Sequence, residues 1–357
     1  MQIPDFQGLS YLKIVNKVGT EIHQNTVLLS NKNKIQMNKA FFTDITIENF
    51  KSLRSVELKD CNHINVLIGR PNVGKSNILE ALSLFGMLNE AKPFSSPLFK
   101  KLIRIDNEAE LFFDGEDSQA IKMSSNLYNF EIVYDFFEGF MRLNAQLSDA
   151  LEFKSHIKKY VFKTNGINLI SADNSNGALA FPFGENLLNI LQTHSKLNKA
   201  CRELFKAYQL QFLFDKGTKS LRLAKQIKTK ADDMPTIFSM PYGSVADTLQ
   251  RIIFYKTAIM SNSDSVLLFE EPEAHSFPPY IVDITQEMIY SKSNQFFITT
   301  HSPFVLNDLL ENGRDELAVF VVDVQNGETI VKRLSAEQLY EIYQYGVDLF
   351  TNIETFI

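Results

Sequence analysis

Residues 64–85, INVLIGRPNVGKSNILEALSLF, constrain this chain more than any other stretch. A short apolar run enters a loop with a glycine at each end, and Ile78, Leu82 and Phe85 then recur at helical spacing. A strand that feeds a helix through so short a loop predicts an α/β fold with a mostly parallel sheet flanked by helices. The loop has its own chemistry. Gly69 and Gly74 open backbone conformations closed to other residues, so the turn Gly69, Arg70, Pro71, Asn72, Val73, Gly74 can aim N–H groups at α- and β-phosphates. Lys75 then offers its charge to the β- and γ-oxygens and Ser76 its hydroxyl to Mg²⁺. The helix entered through Asn77 points the positive end of its dipole at the same place. The plain alternative is an ordinary glycine turn leading into a helix.

A phosphate loop needs a second element to hold the metal and activate water, and SVLLFEEPEAH supplies one. Val266, Leu267, Leu268 and Phe269 form a continuous apolar run, as expected of a strand buried on both faces, and two carboxylates follow it. Glu270 is positioned to hold Mg²⁺, and Glu271 to orient or deprotonate the attacking water. The competing reading is two solvated acids in a surface turn. A third segment, QFFITTHSPF, predicts another buried strand that ends before His301. This histidine either reaches a γ-phosphate or serves as a hydrogen-bonded strand end.

Taken together, ITIENFKSL, IGRPNVGKSNILEAL, LLFEEPEAH and ITTHSP resemble the ABC-type ATPase heads of the SMC/RecF/OLD group, closest to the stand-alone AAA-type ATPases related to the OLD family. The resemblance covers residues 40–90 and 235–310. It implies a Walker A motif at 69–76, a Walker B motif at 266–270, a catalytic Glu271 and a switch histidine at His301. It also implies head-to-head homodimers, or higher homo-oligomers, in which each subunit presents a signature loop to the other's ATP. The sequence departs from the family there: in MPYGSVADTLQRIIFY, Gly243 and Ser244, or Asp247 and Thr248, can stand for the signature pair, and a simple helix cap is the competing reading. No glutamine stands out as the family's Q-loop residue, and Gln119 is a poor candidate.

Along the chain, the alternation of Ile45 and Ile47 and the pair Val56 and Leu58 predict an antiparallel N-terminal β-portion, and strands are expected around 103–113 and 130–134. Leu187, Leu191, His194, Leu197, Cys201, Leu204 and Tyr208 predict one amphipathic helix. The layout expected is an N-terminal extension at 1–39, an ATPase head at 40–134 and 235–357, and an inserted, mainly helical lobe at 135–234. Asn326-Gly327 between apolar runs predicts a hairpin. The stretch after His301, about 55 residues, is too short for a full further domain, so the Toprim nuclease domain of OLD proteins is not expected in it.

Composition bounds the rest. Hydrophobic residues at 45% and charged residues at 22% are those of a globular chain. Cys61 and Cys201 lack metal-site or disulfide spacing and read as small buried residues, and with no signal-peptide pattern or membrane-length apolar run the expectation is a cytoplasmic protein with no membrane contact. A net charge of −6 leaves nucleic-acid binding to local basic patches in KSHIKKYVFK, NKACRELFKAY and TKSLRLAKQIKTK, which otherwise read as solvated faces. The functional expectation is an ATPase that dimerises around nucleotide and controls a separate, nuclease-like effector in phage defence or DNA surveillance. Its alternatives are a nucleotide-gated scaffold with negligible turnover and a RecF-like DNA-binding repair ATPase.

Overall fold

Two β-sheets face each other across a single helix, and the helix is the one that follows the glycine loop. The computed structural model describes residues 41–87, 94, 96–135, 140–147, 156–163, 177–227 and 236–357; these belong to the compact unit Asn38–Ile357. The expected extension at 1–39 lies outside the described residues.

The first sheet is antiparallel. It is built from β1 (Ile45–Phe50), β2 (Leu53–Leu58), β4 (Ile121–Ser125), β5 (Tyr128–Asp135) and β6 (Phe140–Leu147) in the order β2-β1-β4-β5-β6. The second has six strands. It contains β3 (Ile64–Ile68), β7 (Ile157–Tyr160), β11 (Val266–Glu270), β12 (Gln295–Thr299), β13 (Leu317–Gln325) and β14 (Glu328–Arg333) in the order β14-β13-β3-β12-β11-β7. Every pairing in it is parallel except the β13–β14 hairpin, which turns through Asn326 and Gly327, both at positive φ.

Helix α1 (Lys75–Phe85) fills the space between the sheets. Its Ile78, Leu82 and Phe85 are fully buried. Phe85 stacks edge-on to Phe130 of β5 at 5.0 Å between centroids, and Phe42 bridges Phe85 (5.2 Å) to Phe297 of β12 (6.3 Å). On the other face of the six-stranded sheet, Val66, Phe269 and Ile298 pack on a layer of helices that includes α5 (Asp247–Ser261), α6 (Pro278–Tyr290), α7 (Pro303–Asn312) and α8 (Ala336–Tyr345). Gln295 is buried without penalty because its amide accepts from Phe42 N (3.0 Å) and donates to Phe42 O (2.8 Å), pinning the chain at the start of the domain.

Several expectations need correction. Residues 103–113 form no strands: Ile103 caps a short helix, α2 (Pro97–Leu102), and the chain continues through 3₁₀ turns, meeting β1 at the bridge from Phe50 to Phe112 and at the bond from Phe113 N to Asn49 Oδ1 (3.2 Å). The expected helix across 187–208 breaks at His194 into α3 (Leu187–Thr193) and α4 (Ser195–Lys206), because the imidazole Nδ1 accepts from Leu197 N (3.3 Å) and caps the second piece. The region 135–234 is not mainly helical among its described residues. It supplies β6 to the antiparallel sheet, β7 to the parallel one, and β8 (Gln211–Asp215) and β9 (Ser220–Ile227), which pair with β10 (Thr236–Pro241) in a third sheet.

Both cysteines are buried and free, and burial pushes the Cys201 thiol up to about 12. No helix among the described residues is long and apolar enough to cross a membrane.

The Phe297 ring carries the contact between the parallel sheet and the Phe42–Phe85 pair. Phe297→Ala is expected to cost about 3–5 kcal/mol, read as a lowered urea midpoint with an unchanged m-value.

Candidate nucleotide site

Parallel pairing places the site. Glu270 on β11 lies opposite Thr299 on β12, and Thr299 lies opposite Leu67 on β3, so all three strands end on one edge. The glycine loop, the paired carboxylates and the His301 turn leave from that edge, where open α/β sheets place ligands.

The loop is pressed against the β13–β14 hairpin. A Cβ on Gly69 would stand 2.1 Å from Val322 O, and one on Gly74 2.4 Å from Thr329 Oγ1. Gly74 also sits at φ +101°, a conformation that side chains oppose. Thr329 Oγ1 donates to Val73 O (3.0 Å) and pairs with Ser52 Oγ (2.9 Å), which accepts from Asn77 Nδ2 (2.9 Å). The loop is thus held from behind by a hydroxyl chain.

Pro71, Asn72, Gly74, Lys75, Ser76 and Asn77 line a cleft of about 410 Å³ together with Lys51, Glu80, Arg104, Glu271, Thr299 and His301. The remaining loop residues turn elsewhere: Val73 is buried and Arg70 is bound to Asp323 (2.8 Å). The Lys75 ammonium donates to Gly69 O (2.8 Å) and Arg70 O (2.7 Å). Burial lowers its pKa to about 8 although Glu271 and Glu270 pull the other way.

The Ser76 hydroxyl donates to Glu270 Oε1. Burial works against the Glu270 charge, but this hydroxyl, Lys159 and Arg104 outweigh it and hold the carboxyl below its ordinary pKa. Glu271 follows at φ +43°, with its N–H bonded to Thr299 O (3.1 Å), and its carboxylate lies 3.5 Å from His301 Nε2. Burial and the Lys75 charge lower the His301 pKa against the pull of Glu271, which favours the neutral imidazole.

Several participants carried no recognisable signal in the sequence. Glu80, on α1, is fully buried and is bound by Arg104 Nε (2.7 Å) and Lys51 Nζ (2.5 Å). Lys159 on β7, the edge strand of the parallel sheet, lies 3.9 Å from Glu80 and is buried, so this lysine of KSHIKKYVFK faces the site and not solvent. Glu273 is buried, accepts from Thr300 Oγ1 (2.5 Å) and His301 N (3.3 Å), and is pushed up in pKa by burial. An acid in the middle of an apolar helix was the one visible hint, at Glu80.

The signature candidates do not line the cleft. Gly243 and Ser244 are exposed in a 3₁₀ turn before α5, Asp247 is exposed in its first turn, and no side chain caps the helix. Thr248 Oγ1 donates to His275 O (2.7 Å), and Arg251 Nη1 reaches Glu271 O (3.5 Å), so α5 is tied to the carboxylate loop. Gln119 bonds Glu116 (3.4 Å), outside the cleft.

Residues 41–239, more than half of the chain, match the AAA ATPase domain family. An uncharacterized protein of Methanocaldococcus jannaschii is 43% identical over 60 residues, 17% of this chain and 26% of that protein. The DNA replication and repair protein RecF of Rickettsia felis is 45% identical over 49 residues, 14% of either chain. The chain therefore aligns with about a quarter of the first relative and a seventh of the second. Among solved structures, an SMC head bound to the C-winged helix domain of ScpA superposes with a TM-score of 0.53 at 13% identity, covering 83% of this chain and 99% of that one. The head from Pyrococcus furiosus, bound to the C-terminal domain of ScpA, gives 0.53 at 12% identity over 85% and 99%. At such identity the likeness is one of fold. The chain belongs to the AAA ATPase domain family, and its fold is that of an SMC head.

Proposed function

We propose that the chain binds ATP with Mg²⁺ in this cleft and hydrolyses it. The observation that carries the reading is the hydrogen bond from Ser76 to Glu270, residues 194 apart in sequence, beside a Glu271–His301 pair at 3.5 Å. Two hard oxygen donors in contact suit Mg²⁺, which takes one or two protein oxygens and completes its shell with phosphate and water. Bound Mg²⁺ supplies neutralisation of triphosphate charge. In this reading the loop from Gly69 to Asn77 wraps the phosphates, Lys75 leaves its carbonyls for the β/γ oxygens, and Glu271 takes a proton from water while His301 donates to the γ-phosphate.

The head works as a nucleotide-gated homodimer. Support comes from the N-terminus of α5, which no side chain caps and before which Gly243 and Ser244 stand exposed, able to face a partner's nucleotide. Phe277 and Phe304, 63% and 57% exposed, stand just beyond the carboxylate and histidine turns as apolar contacts for the second copy. A separate nuclease-like effector, in phage defence or DNA surveillance, is the output that the dimer would control. The SMC head neighbour that carries a ScpA domain is a precedent for a head with a docked partner.

A second reading, direct DNA contact, is favoured by α4, where Lys196, Lys199, Arg202 and Lys206 are exposed on the side opposite Leu197, Cys201 and Phe205. Charge reversal at Lys199 and Arg202 should then abolish a DNA affinity that falls steeply with salt in gel-shift titrations, and no DNA binding at low salt would remove this reading.

Two further outcomes are expected. Glu271→Gln should reduce phosphate release by roughly 10²- to 10⁴-fold while ATP binding persists and a dimer accumulates in light scattering with ATP and Mg²⁺. Equal, near-zero release from both proteins would favour a scaffold without turnover. The free protein loses the Lys75 proton as pH rises through about 8, whereas a bound triphosphate retains it. ATP affinity should therefore fall above that pH, by up to about tenfold per unit, and Lys75→Arg, which stays charged, should flatten the dependence in calorimetric titrations.

A further inference from the structure

The cation cluster beside the phosphate loop exceeds what the proposed chemistry uses. Glu80 is fully buried, and a buried carboxylate without partners is costly, so Lys51 from the β1–β2 turn and Lys159 from β7 have a structural task there. Arg104 is different. Its side chain is 62% exposed, it lines the cleft, and its Nη2 reaches past Glu80 to Glu270 Oε1 at 3.1 Å. That oxygen is the one that accepts from Ser76. A guanidinium and the hydroxyl assigned to the metal therefore share one oxygen of the metal's carboxylate.

We propose that Arg104 is the resident counter-cation of Glu270 in the nucleotide-free protein and yields Glu270 to the metal by pivoting about its bond to Glu80. The proposal rests on the reading of the cleft as a Mg²⁺-nucleotide site. The pivot is visible in the bonds. Arg104 Nε is fixed on Glu80 Oε1 at 2.7 Å, and the Arg104 carbonyl accepts from Lys51 Nζ at 2.9 Å, so the backbone and the near side of the fork are held. Only Nη2 has to exchange partners.

Electrostatics set the direction. Arginine stays charged at any physiological pH, so Nη2 cannot share its oxygen with a divalent cation without repulsion. With no metal present, the same charge shields an incoming triphosphate from Glu270. Arg104 thus makes metal-free nucleotide easier to bind and metal harder to seat, and so weakens the coupling between the two ligands.

The test is a titration of a fluorescent ATP analogue against the full chain in Mg²⁺ or in EDTA, with wild type, Arg104→Gln and Arg104→Lys. Arg104→Gln is expected to weaken metal-free binding by roughly fivefold to tenfold while binding with Mg²⁺ holds or tightens, so the ratio of the two affinities widens. Arg104→Lys keeps the charge but cannot span both carboxylates, and should give an intermediate ratio. It carries the test alone should the glutamine variant fail to fold. Affinities that shift by one common factor, as a direct phosphate contact or a general loosening would produce, overturn the proposal. A wild-type protein that binds the analogue in neither condition would instead sink the nucleotide site, and this inference with it.

Discussion

Backbone hydrogen bonding between β3, β12 and β11 is the constraint on which the rest of the site depends. The pairing of Glu270 with Thr299, and of Thr299 with Leu67, sets three chain turns side by side. A slip of one residue would invert every side chain on the strand and carry Phe269 or Phe297 out of its layer, so burial on both faces locks the register. The hairpin of β13 and β14 extends this order. It stands beside β3 and lends Val322 and Thr329 to brace the glycine loop from behind.

On that edge the protein keeps opposite charges close and partly dry. Burial alone would neutralise Glu270, yet the hydroxyl of Ser76 and the nearby cations keep it ionised, while Glu273, two residues from Glu271 and sunk among Thr300 and the His301 backbone, is driven toward its neutral form. Environment therefore separates acids that the sequence writes as one run. The left-handed backbone at Glu271 is of the strained kind that persists only where surrounding bonds over-determine it, and Thr299 supplies those bonds. Through Arg251 and Thr248 the carboxylate loop is also joined to the first turns of α5.

Elements read from local pattern came through well. The apolar run before Glu270, the loop-helix junction at Gly74 and the Asn326-Gly327 turn each carry their cause within a few residues, as strand burial, backbone freedom and turn chemistry. Elements whose cause lies far along the chain did not. Lys158 and Lys159 looked like a charged surface because the partner of Lys159, Glu80, sits on α1, far away along the chain. The break at His194 was hidden by an unbroken three-and-four spacing, since an imidazole cap leaves the apolar stripe intact. Residues 103–113 read as strands from their apolar content, but their backbone runs through 3₁₀ turns and joins a neighbouring strand's ladder only as the single bridge at Phe112.

The sequence by itself determined the fold class and the placing of the loop and the acids at strand ends, because glycine freedom, apolar periodicity and the position of charges at strand ends are properties of short segments. Only the tertiary structure decided which side chains share the cleft. Arg104 meets Glu270, and Lys51 meets Glu80, through contacts that depend on how the two sheets close on α1, and such closure is set by the packing of Phe42, Phe85, Phe130 and Phe297 together and not by any one segment.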